Sequence, residues 1–100
     1  MTKENKESIK KQLIKCLCSE KEINKIILFG SFIESESPND IDVAIYQNSN
    51  ETYLTLAMKY RKLTRKIAKI IPLDIIPIKS DAKDDSFLSE IESGELIYEK

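Results

Sequence analysis

Hydrophobic residues along the chain recur at spacings typical of amphipathic helices. Apolar residues at helical spacing predict a first helix over about residues 4–20, with lysine and glutamate on its other face. A longer stripe, with spacings of three and four residues, predicts a second helix over about 51–70, capped by Ser49 or Asn50. The residues that we expect this second helix to bury are Leu56, Tyr60, Leu63, Ile67 and Ile70.

Three short apolar runs predict buried strands. They span residues 26–29, 40–46 and 73–78. The intervening segment 30–39 is rich in Gly, Ser, Pro and Asn, so we expect a turn there with room for one helical turn. Asp74 is a charge within an otherwise apolar strand, and a buried charge is costly unless something compensates it.

The C-terminal part of the chain predicts one more helix and one more strand. Asp81 is the predicted N-cap of the helix, and Gly94 is its predicted end. The apolar side chains of this helix are Phe87, Leu88 and Ile91. Residues 96–98 predict a short final strand.

The order of these elements predicts an α+β fold, an α/β two-layer arrangement with helices mainly on one face of a small sheet. The connection from the second predicted strand to the third is long enough to be a crossover, so we expect a mixed sheet. A chain of 100 residues has surface enough for one core, which predicts a single domain over 1–100.

The composition excludes several kinds of catalytic and metal site. The formal charge of −1 gives no global attraction for nucleic acid, so any basic surface must be local. The chain has no histidine, which excludes Ser-His-Asp and Cys-His catalysis and directs metal chemistry toward hard, oxygen-liganded ions such as Mg²⁺. Cys16 and Cys18 are two residues apart and are interpreted as free thiols in a reducing cytosol. No apolar run approaches the ~20 residues of a membrane span, so we predict a cytoplasmic protein.

Candidate chemistry lies at the ends of the predicted strands. Gly30 and Ser31 follow the first strand, where a glycine lets phosphate approach the backbone and amides and a hydroxyl donate to it. Asp40 and Asp42 share one face of the second strand and can hold a divalent cation between them. If the strand of Asp74 lies beside them, three carboxylates converge, and one or two Mg²⁺ ions would turn their repulsion into ligation. Such a cluster favours a nucleoside triphosphate as ligand.

These motifs together resemble the minimal nucleotidyltransferases of the DNA polymerase β superfamily. The matching segments are LFGS at 28–31, DIDV at 40–43 and LDII at 73–76, with FLSEI at 87–91, Gly94 and IY at 97–98. The resemblance implies the polymerase β-like fold and Mg²⁺-dependent transfer of AMP from ATP to a hydroxyl group. It implies that Gly30 and Ser31 hold the triphosphate and that Asp40 and Asp42 bind the metals. Asp74 would ligate the catalytic metal and help to deprotonate the acceptor.

The loop after Ser31 departs from that family pattern. Family members commonly carry a small residue, a basic residue and a second glycine there, whereas this chain has Ile33, Glu34 and Ser35. Two interpretations stay open: Glu34 and Glu36 point to solvent, or they mark a weakened active site. A catalytically weakened nucleotide-binding or antitoxin-type module on the same fold is therefore the alternative function.

Partners are suggested by the family and by local charge. The resemblance implies a separate acceptor, such as a helical HEPN-type toxin that the enzyme silences by adenylylation. Six cations and no acid lie within residues 59–69, and four of them share a helix face: Lys62, Arg65, Lys66 and Lys69. This face is either solvated or meets phosphate, RNA or an acidic protein. Phe32, Tyr46 and Tyr53 are candidates for stacking on an adenine, although aromatic residues at such positions more often pack in the core or at its rim.

Overall fold

The computed structural model describes residues 1–82 and 86–100. Helices and strands alternate along this part of the chain, as the hydrophobic pattern predicted. In chain order they are α1 Lys3–Leu17, β1 Ile23–Phe29, α2 Ser31–Glu34, β2 Ile41–Gln47, α3 Tyr53–Leu63, α4 Arg65–Ala68, β3 Leu73–Lys79, α5 Ser86–Glu92 and β4 Glu95–Glu99.

The four described strands form one mixed sheet in the order β3-β2-β1-β4. The central strand β1 is antiparallel to both β2 and β4, whereas β2 and β3 are parallel. Parallel neighbours require the chain to return to the same end of the sheet, and α3 and α4 provide this crossover. The prediction of an α+β fold with a small mixed sheet is confirmed.

Alternation along β2 divides the core between the two faces of the sheet. Ile41, Val43 and Ile45 enter the larger cluster, beneath α1, α3 and α4, together with Leu13 and the other residues buried there. Ala44 and Tyr46 point to the opposite face and join a smaller cluster covered by α5. Asp42 has the same parity as Ala44, so its side chain belongs to the thinly covered face.

The prediction of one continuous helix over 51–70 is wrong, because the helix is broken at Thr64. Thr64 Oγ1 donates to the carbonyl of Tyr60 (2.8 Å), and Thr64 separates α3 from α4. Thr64 and Ile71 are buried where the prediction had Leu63 and Ile70. The predicted burial is confirmed for Leu56, Tyr60 and Ile67, but Leu63 and Ile70 are exposed, Ile70 by 62%.

Two predicted helix caps also differ from the structure. Thr52 caps α3, where its Oγ1 accepts a hydrogen bond from the amide of Thr55 (3.2 Å), and neither Ser49 nor Asn50 is the cap. Asp81, the predicted cap of the last helix, lies in a turn well before Ser86, and the cap position itself falls outside the described residues. Local sequence favours each of these polar residues as a cap, and backbone geometry selects among them.

Candidate active site

Gly30 connects β1 to α2 in a conformation that other residues adopt only with strain. Its φ is 77°, and its carbonyl accepts hydrogen bonds from the amides of Ile33 (3.1 Å) and Glu34 (3.2 Å). A Cβ at Gly30 would overlap Oδ2 of Asp42. The glycine is therefore required both by the turn and by the close approach of this carboxylate.

The three predicted acidic residues come to the same corner of the sheet. Asp42 is paired with Phe29 on one side and with Asp74 on the other. Asp40 immediately precedes β2, and Ser31 Oγ donates a long hydrogen bond to Asp40 Oδ1 (3.4 Å). The sheet thus brings Gly30 together with the polar residues predicted for the site, which are Ser31, Asp40, Asp42 and Asp74. The roles of these residues stay predictions.

The burial expected for Asp74 is wrong. Its side chain is exposed, because β3 is at the edge of the described sheet, whereas Asp42 on the adjacent strand is half-buried. An exposed carboxylate at an edge needs no buried counter-charge. The convergence of Asp74 with Asp42 therefore rests on strand pairing and not on the cost of a buried charge.

Asp42 has an unfavourable electrostatic environment. Burial raises the pKa of its carboxyl group, and the negative charges of Asp40 and Asp74, a hydrogen bond with Asp74 and the charge of Glu90 raise it further. A divalent cation would reverse the sign of this local field. The donors here are all oxygen atoms, the type that Mg²⁺ prefers.

These carboxylates do not form a closed metal cage. Among residues 1–82 and 86–100, no group of three or more Asp, Glu, Cys or His side chains is arranged to hold a metal ion. The residues present fit a cation by the chemistry of their donors. They fit it as a partial shell that leaves positions for other oxygen ligands.

Glu90 is a site residue that the sequence did not single out. A depression of about 140 Å³ lies beside Gly30 and is lined by Phe29, Gly30, Ile33, Glu34, Glu90, Ser93 and Gly94. Glu90 comes from α5, so its approach to Asp42 depends on how that helix packs across the sheet. Glu34 and Glu90 thus both line the depression, and both are exposed acids.

The aromatic residues considered for adenine stacking do not line this corner. Phe32 is completely buried in the larger core, and Tyr46 is buried with Lys25 Nζ 4.5 Å from its ring centroid. Tyr53 is exposed, but it begins α3 beyond the opposite end of β2. The structure therefore gives no support to a stacking role for these three residues.

Comparison with known protein families shows the family of this chain. The model of the family described as polymerase beta, nucleotidyltransferase matches residues 11–100. The chain belongs to this family. The match includes both ends of the candidate site, from Gly30 to the last strand, and confirms the resemblance inferred from the sequence.

Solved structures of similar fold come from toxin–antitoxin complexes. One is a chain from the complex of a tri-AMPylated Shewanella oneidensis HEPN toxin with an MNT antitoxin, at TM-score 0.65 and 18% identity, covering 95% of this nucleotidyltransferase and 73% of that chain. Another is a toxin–antitoxin complex named MntA-HepT, at TM-score 0.61 and 17% identity, covering 94% and 73%. At these identities the likeness shows the fold alone. No curated protein sequence matches the chain.

No helix within residues 1–82 and 86–100 has the length and apolar character needed to cross a bilayer.

Proposed function

We propose that this nucleotidyltransferase transfers AMP from ATP to a hydroxyl group of a separate acceptor, in a Mg²⁺-dependent reaction. The observation that carries the proposal is the position of Asp42 between Gly30 and Asp74, where its pKa is raised by burial and by neighbouring acids. Residues 1–100 would form one nucleotidyltransferase domain. Its unpaired Cys16 and Cys18 fit a cytoplasmic setting.

Each residue of the corner has a role in this proposal. Gly30 and Ser31 bind the triphosphate through backbone amides and the Ser31 hydroxyl, while the carboxylates of Asp40, Asp42 and Asp74 would hold the Mg²⁺. Bound Mg²⁺ would neutralise the charge that develops on the attacking and leaving oxygens. Asp74 positions the acceptor hydroxyl and helps to accept its proton. The acceptor oxygen then bonds to the α-phosphorus as the bond to pyrophosphate breaks.

The acceptor in this proposal is a HEPN-type protein. The HEPN toxin in the similar Shewanella oneidensis complex is described as tri-AMPylated and bound to an MNT antitoxin, which is the product that this chemistry would give. The similar MntA-HepT assembly is likewise a toxin–antitoxin pair. By analogy, AMP added to a HEPN-type partner would silence it.

A second function is favoured by the acids beside Gly30. Glu34 and Glu90 place two negative charges at the depression next to the proposed triphosphate site, where they would repel phosphate. A module on the same fold that binds and blocks its partner without catalysis would tolerate these charges. The pairing of Asp42 with Asp74 supports the enzyme over this alternative.

Label transfer tests the enzymatic proposal. The chain is incubated with Mg²⁺, ATP labelled in the α-phosphate and a purified HEPN-type protein from the same organism. We expect labelled partner with the wild-type chain and with Glu51→Gln, a control at the far end of β2. We expect none with Asp40→Asn. Equal labelling by Asp40→Asn would overturn the assignment of the site.

Nucleotide binding separates the two candidate functions. The enzymatic proposal predicts that ATP with Mg²⁺ raises the melting temperature, since a ligand that binds the native state stabilises it by mass action. An unchanged melting temperature, together with full neutralisation of the partner by an Asp40→Asn, Asp42→Asn double variant, would favour the non-catalytic module.

A further inference from the structure

The outer surface of α3 and α4 carries apolar side chains that the fold does not bury. Leu54 is 64% exposed and Met58 is 60% exposed, one helical turn apart. Both lie on the side of α3 opposite to Leu56 and Tyr60, which enter the core. Large apolar side chains grouped in this way on a surface helix indicate a contact surface for another molecule.

The same surface is strongly basic. Residues 52–73 contain no acid, and their cations are Lys59, Arg61, Lys62, Arg65, Lys66 and Lys69. Lys59 is neutralised by Glu20 (2.7 Å) and Glu22 (2.8 Å). The other five are exposed and form no ion pair with any residue of the described ranges 1–82 and 86–100.

This surface runs from the far end of the sheet to the candidate active site. Helix α3 begins beyond the C-terminal end of β2, and the chain must return to the start of β2 before it enters β3. The amide of Ile41 donates to the carbonyl of Pro72 (2.9 Å), which fixes that return next to Asp40 and Asp42. The segment around Lys69 therefore lies at the same end of the sheet as Asp74.

We propose that this surface docks an acidic protein partner and leads its acceptor segment to Asp74. The docking face consists of Leu54, Met58, Lys62, Arg65, Lys66 and Lys69. The inference rests on the proposed function for the identity of the acceptor, and on the charge and exposure of these six residues for the position of its binding site. Their apolar part gives affinity, and their cations steer and orient an acidic surface.

A protein fits the docking face better than a nucleic acid does. Exposed Leu54 and Met58 offer apolar contact, and Tyr60 within the basic segment is completely buried. The exposed aromatic residue of α3, Tyr53, is the first residue of the helix and lies outside the basic segment 59–69. Helices α3 and α4 together span roughly 24 Å at 1.5 Å per residue, a length suited to the ~800 Å² that each partner buries in a standard protein interface.

Matched charge reversals test the docking face. The first variant carries Lys62→Glu, Arg65→Glu and Lys66→Glu. The control carries Lys3→Glu, Lys11→Glu and Lys15→Glu, three exposed lysines of α1 with the same change in net charge. Affinity for the purified HEPN-type protein is measured by calorimetry at low and at physiological salt. We expect the first variant to bind at least about tenfold more weakly, and the control to stay within about twofold of the wild type.

A second variant and a second readout separate docking from folding and from nucleotide binding. Leu54→Ser with Met58→Ser removes only the apolar part and is expected to weaken partner binding at all salt concentrations. The ATP-dependent rise in melting temperature is expected to be unchanged in both docking variants. If the docking variants lose partner binding, and the wild type binds the partner but transfers no label, the docking face is kept and the proposed reaction is rejected.

Several outcomes would overturn the docking face. These are wild-type affinity in both docking variants, an equal loss in the α1 control, or no binding of the HEPN-type protein by the wild type. A fluorescein-labelled single-stranded RNA provides the remaining comparison. Tight RNA binding that the charge reversals abolish, with partner binding intact, would assign the surface to nucleic acid instead.

Discussion

Two partly buried carboxylates lie at opposite ends of β1, and their surroundings are opposite in sign. Glu22, directly before the strand, accepts hydrogen bonds from Lys59 Nζ (2.8 Å) and the Tyr60 hydroxyl (2.8 Å). Burial alone would raise the pKa of Glu22, but these hydrogen bonds outweigh it and hold the pKa below its usual value. Asp42 is paired with Phe29 at the other end, and there burial, followed by the charges of neighbouring acids, raises its pKa.

The difference distinguishes a carboxylate that stabilises the fold from one that is available for chemistry. The charge of Glu22 is already compensated within the chain, so ionisation there favours the native state. The charge of Asp42 is opposed by Asp40 and Asp74, so ionisation costs free energy until a cation or a proton arrives. An anionic cluster with uncompensated repulsion is what a cation-dependent active site would present before its ligands bind.

The largest expected effect comes from removing the charge of Asp42. We expect Asp42→Asn to lower the rate of AMP transfer by about 10³-fold or more, which corresponds to several kcal/mol of lost charge stabilisation. Its melting temperature in metal-free buffer should rise, because the repulsion with Asp40 and Asp74 is gone. Both quantities are measured beside a Glu51→Gln control. AMP transfer by Asp42→Asn at the wild-type rate would show that the Asp42 carboxylate takes no part in the reaction.

The next effect concerns the contact between Gly30 and Asp42. Gly30→Ala is expected to lower the free energy of unfolding by about 1–3 kcal/mol, because alanine is strained at positive φ and its Cβ would displace the Asp42 carboxylate. Urea denaturation measures the loss. Ser19→Ala, at an exposed position, should change the stability by no more than about 0.5 kcal/mol. Equal stability of the two variants would contradict this account of the turn.

A smaller effect is expected at Glu22, and its pH dependence tests the sign. Glu22→Gln should destabilise the protein by about 1 kcal/mol at pH 7, since the partners are partly solvated and a charge-assisted hydrogen bond is only weakened. Because the folded pKa is lowered from 4.5, this contribution is present above pH 4.5 and is lost as the pH falls through the folded value.

Urea denaturation of the wild type and Glu22→Gln at pH 7, 5 and 3 measures this difference in stability. We expect it to shrink as the pH is lowered, whereas Glu51→Gln should show no comparable change. A difference that grows on acidification would reverse the assignment of Glu22 as a stabilising carboxylate.

The smallest effect is expected from the hydroxyl of Tyr60. Burial, followed by the hydrogen bond to Glu22, raises the pKa of Tyr60, so this hydroxyl stays a proton donor across the physiological range. Tyr60→Phe should cost about 0.5–1 kcal/mol, and less when Glu22 is already Gln, because the two changes remove one shared hydrogen bond. A double-mutant cycle by urea denaturation measures the coupling. If the effects of Tyr60→Phe and Glu22→Gln simply add, the hydrogen bond between the two side chains does not contribute to stability.

The sequence identified much of the candidate corner because its signals are local. A strand that ends at Gly30-Ser31 and two acids at i and i+2 specify which side chains lie together once the strands pair. The convergence of Asp74 required only a parallel neighbour, which the crossover length indicated. Its burial was predicted wrongly, since the apolar pattern of β3 does not reveal that this strand is at the edge of the described sheet.

Other features were decided by contacts between distant segments. Thr64 and Ile71 are buried in place of the predicted Leu63 and Ile70, and the buried Thr64 hydroxyl donates to the carbonyl of Tyr60, a contact that the hydrophobic pattern does not reveal. Glu90 reached the surroundings of Asp42 through the packing of α5, which no local pattern specifies. The family resemblance included Glu90 in its segment 87–91 but gave this residue no role at the site.

By itself, the sequence determined the family and the alternation of helices and strands, and it predicted Asp40, Asp42 and Asp74 as acids of the candidate site, because hydrophobic period and motif spacing act over short distances. Only the tertiary structure decided that the charge of Glu22 is compensated by hydrogen bonds while that of Asp42 is not. It also decided that the basic segment of α3 and α4 ends at the same end of the sheet as Asp74. The physical reason is that electrostatic environment depends on which segments meet in space, and residues far apart in sequence decide it.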